Sequence, residues 1–273
     1  MSAAVVVATD VVLGRGRGIA VARSSFEIPV GSLTAVIGPN GSGKTTLLHA
    51  LAGLVEPESG VFDWRDGART AYVLQSTRVN EALPITVREL VTMGRYATSG
   101  PFRRLGRRDR RAVGAALEAT GASHIAGRSL RQLSGGERQR AFLAQGLAQD
   151  HDVLLLDEPL TGLDLPAAQA LDAMIHREQT SGRTVVMSTH DLGEARVADY
   201  VLLLANRVIA CGTPRDVLTA ENLRSAYGGS LMHLEGAALF LDDPAHTHEG
   251  RHLHRDRSIH VEMPGSDAHP PRD

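Results

Sequence analysis

A single cysteine, Cys211, stands in 273 residues. No internal disulfide can form, which excludes a disulfide-stapled scaffold and fits a reducing cytosol. Cys211 follows an apolar run and precedes Gly212, the setting of a small core residue. Long apolar runs are missing too: none approaches the roughly 18 residues that suggest a membrane-spanning helix. The N-terminus lacks a basic segment followed by an apolar one, so no secretory signal is expected. Any membrane role would therefore run through a partner. Neither sign of charge is in excess; the formal net charge is -2, which argues against a dedicated nucleic-acid binder. There is no internal repeat, and a chain of this length can bury a substantial core in one or two domains.

What is present centres on one stretch. Leu33-Thr34-Ala35-Val36-Ile37 is a short apolar run of the kind that forms a buried strand. Gly38-Pro39-Asn40-Gly41-Ser42-Gly43-Lys44-Thr45 then fits G-x-x-x-x-G-K-[ST], and Thr46 to Ala52 continues with helical apolar spacing. A phosphate-binding loop needs that position between strand and helix. Its glycines let successive backbone N–H groups curl inward toward phosphate oxygens, and the positive end of the following helix adds to the same anion site. Lys44 would reach the β and γ phosphates, and the Thr45 hydroxyl would ligate Mg²⁺.

Upstream, Ala3–Ala8 and Ser25–Val30 read as strands around a turn at Gly14-Arg15-Gly16-Arg17-Gly18. Downstream, Val61–Trp64 alternates like a strand, Asp66-Gly67 suggests a hairpin, and Ala71–Leu74 is a strand candidate ending at Gln75. Residues 83–150 change character. Val87–Tyr96 and Asp109–Ala119 suit helices, so an inserted helical subdomain is expected. Between them lie Arg103, Arg104, Arg107, Arg108, Arg110 and Arg111. Such a run is most often a solvated face; the alternative is contact with anionic lipid headgroups or a membrane partner.

Leu133-Ser134-Gly135-Gly136-Glu137-Arg138-Gln139-Arg140 opens another helix. Ser134 is a good N-cap and Glu137 completes a capping box. Two glycines in the first turn nevertheless cost helix stability and leave backbone N–H groups open to an anion, so this is a second phosphate-binding helix start. Val153-Leu154-Leu155-Leu156-Asp157-Glu158 is a fully apolar strand, as in a parallel sheet covered on both faces, ending in two carboxylates. Open α/β sheets place ligand chemistry at such strand ends. Asp157 suits Mg²⁺; Glu158, on the opposite side of the strand by alternation, can polarise a water. Leu165–Gln179 reads as a helix, Thr184–Thr189 as another buried strand ending at His190, Val201–Leu204 and Val208–Ala210 as a closing hairpin, and Pro214–Ala226 as a helix.

The pattern fades from about Leu234, and residues 242–273 read as a disordered tail rich in Pro and His. His246, His248, His252 and His254 form two His-x-His pairs that can chelate zinc or copper; a merely soluble tail is the alternative. The expected fold is α/β: a P-loop ATPase core with a parallel sheet, an antiparallel β subdomain and the inserted helical subdomain. Residues 1–235 form the ATP-binding domain and 236–273 the tail.

In their order, GPNGSGKTT, Gln75, LSGGERQR, VLLLDEP, LTGLD and STHD make residues 3–230 resemble the ATP-binding subunit of ABC transporters. The resemblance implies a head-to-tail homodimer binding ATP with Mg²⁺ between the Lys44 loop of one copy and the Ser134-Gly135-Gly136 helix start of the other, with Thr46 and Glu137 in the same motifs. Glu158 is implied as the general base or water-polarising residue. His190 would hold the γ-phosphate and water, Gln75 would sense Mg²⁺ and the attacking water, and Asp164 would link the two sites. The adenine-stacking aromatic usual in the family falls at about Arg15, whose guanidinium can also stack on a flat ring. Leu83–Val87, Met93-Gly94-Arg95-Tyr96, Val217–Leu223 and Ala226-Tyr227-Gly228 resemble the zinc and manganese importer group. The expectation is a peripheral ATPase on the cytoplasmic face of the cell membrane. It would drive uptake of a metal, zinc before manganese, through integral permease subunits and, indirectly, a solute-binding protein. An iron-chelate or haem importer, or a soluble non-transport ABC ATPase, is the alternative.

Overall fold

The computed structural model describes residues 3–16, 18–73, 84–99, 104–161, 165–228, 234–235 and 238–239. Two sheets organise it. Strands β1 (Ala4–Arg15), β2 (Gly18–Pro29) and β4 (Ser59–Trp64) form an antiparallel sheet in the order β2-β1-β4. Strands β3 (Leu33–Ile37), β5 (Thr70–Val73), β6 (Val153–Asp157), β7 (Thr184–Thr189), β8 (Tyr200–Leu204) and β9 (Val208–Gly212) form the larger one, in the order β5-β6-β7-β3-β8-β9. All its pairings are parallel except β8 with β9.

The apolar runs are explained by burial on both faces. Every residue of β3, β6 and β7 is buried. Alternation sends successive residues to opposite sides. Val36, Leu155, Val186 and Leu202 pack with Leu47, Leu48 and Leu51 of α1 (Lys44–Leu51) and with the antiparallel sheet. Ile37, Leu154, Leu156, Met187 and Leu203 pack on the other face with the remaining helices. These are α2 (Val87–Ser99), α3 (Arg107–Ala119), α4 (Gly135–Leu147), α5 (Leu165–Thr180), α6 (Leu192–Val197), α7 (Pro214–Val217) and α8 (Ala220–Tyr227). The α/β class, the parallel sheet, the antiparallel subdomain and the helical insertion are as expected.

Four local readings are corrected. Asp66-Gly67 does not close a hairpin, because β4 pairs with β1 while β5 joins β6 in the other sheet. Asp152 draws the chain across, accepting from Arg69 N at 3.0 Å. The arginine run lies largely inside α3, which begins at Arg107 rather than Asp109. The Pro214–Ala226 segment is two helices, since Thr219 breaks away to cap α8 through Asn222 N. Cys211 is exposed, not in the core: β9 is the edge strand of its sheet.

The helical insertion is locked by one buried cation. Arg95, 2% exposed, donates through Nε to Asp109 Oδ1 at 3.1 Å and through its two terminal nitrogens to Asp150 at 2.9 and 3.0 Å. It also donates to the Ala148 carbonyl at 2.6 Å, so α2, α3 and the end of α4 share one guanidinium. Planar forked donors suit such a site, and Lys would not replace them. Gly94 permits the close approach: a Cβ there would stand 2.4 Å from Gln145 O of α4. Arg95 and Gly94 thus have structural reasons, whereas Met93 and Tyr96 beside them are exposed at 46% and 36%.

Candidate functional site

Strand register sets the site. Ile37 pairs with Thr189, and Asp157 with Ser188, so β3, β6 and β7 end level. Gly38, Glu158 and His190 therefore emerge side by side from neighbouring strands, at the C-terminal edge of the parallel strands where α/β sheets bind ligands.

The loop from Gly38 to Lys44 is shaped by its neighbours. Gly38 is pressed against β8: a Cβ would lie 1.9 Å from Leu204 O. Gly43, the N-cap of α1, has φ 102°, and a Cβ would meet Val21 and Ala20 within 2.8 Å. Gly41 has φ 81° with nothing within 4 Å of a Cβ, so its requirement is conformational and its surroundings are open. The tip is anchored from behind, where Asn206 donates its N–H to Ser42 O at 3.0 Å and its side-chain amide to Gly41 O at 3.4 Å. These bonds hold the Gly41 and Ser42 carbonyls on the turn between β8 and β9. Pro39 accepts from Ser42 N at 3.1 Å, and Asn40 is exposed.

Lys44 is 7% exposed and donates to Gly38 O at 2.7 Å and Pro39 O at 3.2 Å. Burial lowers its pKa, opposed by the nearby charges of Glu158 and Asp157. Among the described residues, buried Ser42 Oγ has no hydrogen-bond partner, an arrangement that costs free energy unless a ligand completes it. Thr45 is half-buried at the start of α1, with Thr46 buried behind it. An open glycine curl, a buried ammonium and an orphaned hydroxyl fit a polyphosphate. Asp157 and Thr45 provide the oxygen donors that a magnesium ion takes alongside phosphate oxygens.

Opposite the loop, Asp157 is 6% exposed. Its Oδ1 accepts from Ser188 Oγ at 2.6 Å and its Oδ2 from Tyr72 OH at 3.4 Å. The Ser188 oxygen also accepts from Glu158 N at 2.9 Å. Glu158 does not continue the strand alternation. Its φ is 46°, so the backbone takes a left-handed turn where β6 ends, and the residue is half-buried. His190 is exposed, and the chain after it is fixed by Asp191 N donating to Thr189 Oγ1 at 2.9 Å and Asp191 Oδ1 capping Gly193 N at 2.6 Å. Glu194 of α6 is held above the usual carboxylate range, chiefly by burial, with Asp191 and Glu158 adding to the push.

The second glycine-rich helix start is separate. Ser134 Oγ accepts from Glu137 N at 3.3 Å, and Glu137 returns the bond, accepting from Ser134 N at 2.8 Å. Arg128 donates to Glu137 at 2.6 Å. Ser134 and Gly135 are exposed, and among the described residues nothing lies within 4 Å of a Cβ at Gly135. Gln139 Nε2 donates to Pro159 O, tying α4 to the loop that follows Glu158.

The structure thus brings Lys44, Thr45, Asp157, Glu158 and His190 to one edge and leaves Ser134, Gly135, Gly136 and Glu137 on a helix start of their own. Gln75, Asp164, His246, His248, His252 and His254 lie outside the described residues, as does the side chain of Arg15; its backbone ends β1 at the hairpin with Gly18. Sequence reasoning missed Asn206, Tyr72 and Ser188 as parts of the site. Asn206-Arg207 between two strands signals a turn, but nothing local says what that turn touches.

The chain matches the family of ABC transporters over residues 21–161. It is 38% identical over 222 residues to a manganese transport system ATP-binding protein of Bacillus subtilis, covering 79% of this chain and 89% of that one. It is 40% identical over 212 residues to a zinc transport system ATP-binding protein of Treponema pallidum, covering 75% and 80%. A ferric enterobactin transport ATP-binding protein of Escherichia coli is 38% identical over 245 residues, covering 85% and 88%. Among solved structures, a metal-chelate type ABC transporter in an inward-facing conformation superposes with a TM-score of 0.73 at 28% identity, covering 82% of this chain and 89% of that one. A dimeric cassette bound to ADP and phosphate shares the fold, with a TM-score of 0.66 at 24% identity, covering 77% and 99%.

Proposed function

Because the chain belongs to the ABC transporter family, as an ATP-hydrolysing subunit of a metal transport system, we propose that it powers uptake of a divalent metal ion, zinc, through a separate membrane permease. The observation that carries the ATPase mechanism is the shared edge where Lys44, Asp157, Glu158 and His190 meet.

The loop N–H groups and Lys44 bind the β and γ phosphates of ATP, and in doing so Lys44 exchanges the carbonyls of Gly38 and Pro39 for phosphate oxygens. Mg²⁺, held by Thr45 and Asp157, would neutralise charge on the β and γ oxygens. Glu158 accepts the proton of the attacking water, and His190 positions the γ-phosphate and that water. Gln75 would sense Mg²⁺ and the attacking water, and the Arg15 guanidinium would stack on the adenine. The second half of each site comes from another copy. Gly135 is exposed at the start of α4, and among the described residues nothing lies within 4 Å of a Cβ there, which supports a head-to-tail homodimer in which the Ser134-Gly135-Gly136 helix start faces the other copy, linked through Asp164.

The domain is residues 1–235, with the helical subdomain at about 83–150 and the tail at 236–273. Exposed Met93 and Tyr96 on α2 offer the permease an apolar contact, which supports a peripheral position on the cytoplasmic face of the membrane, with a solute-binding protein on the far side. The importer-group segments and the tail histidines His246, His248, His252 and His254, as an accessory metal site, favour zinc. The relatives named for manganese and ferric enterobactin supply the second reading. The test is growth and metal uptake in a strain lacking the gene and its redundant importers. A defect rescued by zinc alone is expected; rescue by manganese alone changes the metal, and no metal phenotype overturns the reading.

A further inference from the structure

Asp157 sits on β6, the strand between β5 and β7, and each flanking strand sends one hydroxyl to its carboxylate. Ser188 Oγ of β7 donates to Oδ1 at 2.6 Å, with Ser188 0% exposed. Tyr72 OH of β5 reaches Oδ2 at 3.4 Å, the long end of a hydrogen bond. A carboxylate with two donors on two oxygens cannot rotate freely about its last torsion, so its remaining lone pairs keep one direction. The two donors do not spend equally. Ser188 Oγ is also the acceptor for Glu158 N–H at 2.9 Å, which steadies the residue with the left-handed turn. Tyr72 extends the clamp to the phosphate loop: its ring meets His49 of α1 edge-on, with centroids 5.3 Å apart, and α1 begins at Lys44 and Thr45.

We propose that Tyr72 and Ser188 are positioning residues that hold the Asp157 carboxylate, one hydroxyl on each oxygen, in the orientation from which it takes a magnesium ion opposite Thr45. Neither touches the nucleotide. Both act through Asp157, and Ser188 also sets the backbone of Glu158. The inference rests on the reading of Asp157 as a magnesium-holding residue.

The test measures binding of a fluorescent, non-hydrolysable ATP analogue to the full chain, in EDTA and across a Mg²⁺ titration. Tyr72→Phe keeps the ring against His49 and removes only the hydroxyl. It is expected to leave binding in EDTA unchanged and to raise the half-saturating Mg²⁺ concentration by roughly threefold to tenfold, the range of one neutral hydrogen bond. Ser188→Ala should raise it at least as much. In hydrolysis assays at saturating Mg²⁺, Ser188→Ala should also lower kcat while Tyr72→Phe does not, since the Ser188 hydroxyl also accepts from Glu158 N. A wild-type Mg²⁺ titration in both variants overturns the proposal, as does an equal loss of binding in EDTA, which would mean the side chains merely support the fold. Asp157→Asn separates the two levels. If it weakens the Mg²⁺ response while the hydroxyl variants do not, the clamp alone fails; if it too has no effect, the magnesium reading of Asp157 falls and the clamp with it.

Discussion

Two helices in this chain begin on glycines with a phosphate-binding signature, and they are built in opposite ways. The start of α1 is incomplete in itself: Gly43 caps it with no side-chain bond, Lys44 is buried, and Ser42 Oγ has no partner among the described residues. The start of α4 is capped: Ser134 and Glu137 satisfy each other's backbone, Arg128 neutralises Glu137, and Gly135 is exposed. The first is a socket whose polar groups wait for a ligand. The second is a capped helix end whose first glycine is exposed, as the proposed partner-facing role requires. The two starts share a composition and differ in burial.

The largest effect expected belongs to the edge beside α1. Glu158→Gln should lower ATP hydrolysis by about 100-fold or more, as loss of a general base does, while ATP binding persists and an ATP-bound dimer accumulates on size-exclusion chromatography. Unchanged hydrolysis would remove Glu158 from its role.

Lys44→Met should weaken ATP binding by roughly 10- to 100-fold, the worth of a charge-assisted bond. The same change should raise the thermal midpoint measured without ATP. The sign follows from linkage. Lys44 has a lowered pKa in the folded state, so keeping it charged costs stability below that folded value, and the cost fades as pH rises toward 10.5, its ordinary value. A midpoint that falls at neutral pH would contradict the socket picture.

A pair of glycine substitutions sharpens the contrast. Gly43→Ala should destabilise the chain by about 1–2 kcal/mol through its left-handed backbone, and by more through the contact with Val21. Gly135→Ala should leave stability unchanged or raised by up to about 1 kcal/mol, yet cut hydrolysis about tenfold or more, because a misplaced partner surface is costly to catalysis. If Gly135→Ala hydrolyses ATP normally, the exposed Gly135 serves no partner.

Smaller still, Ser134→Ala should cost about 1 kcal/mol in a denaturant titration, the usual worth of an N-cap. The N–H of Ser134, reinforced by Arg128, holds Glu137 below its ordinary 4.5. The capping box therefore stabilises fully above that value and is lost as pH falls through the lower folded-state pKa. Glu137→Gln should remove this acid dependence from the helix signal of α4. The smallest effect expected is from deleting residues 242–273, which should leave ATPase activity largely intact; complete loss would make the tail structural.

Much of this was legible from residue order alone, because the informative signals are local. A five-residue apolar run before Gly38, a serine three residues before Glu137 and two acids after Leu156 each state their surroundings within one turn or strand. Readings failed where the deciding partner is distant in sequence. Asp66-Gly67 has the residues of a hairpin turn, but the strands it joins belong to different sheets. Cys211 sits among apolar neighbours but on an edge strand. Met93-Gly94-Arg95-Tyr96 reads as one segment, yet half of it serves the packing of three helices and half faces outward.

The sequence by itself determined the strand–loop–helix frame of the phosphate site, the capped start of α4 and the family, since each follows from short-range patterns. Only the tertiary structure decided that Tyr72 and Ser188 share one carboxylate, that Asn206 braces the loop from 165 residues away, and that Arg95 is a buried lock. Those contacts arise from sheet order and helix packing, which bring together residues whose local sequence carries no mark of their meeting.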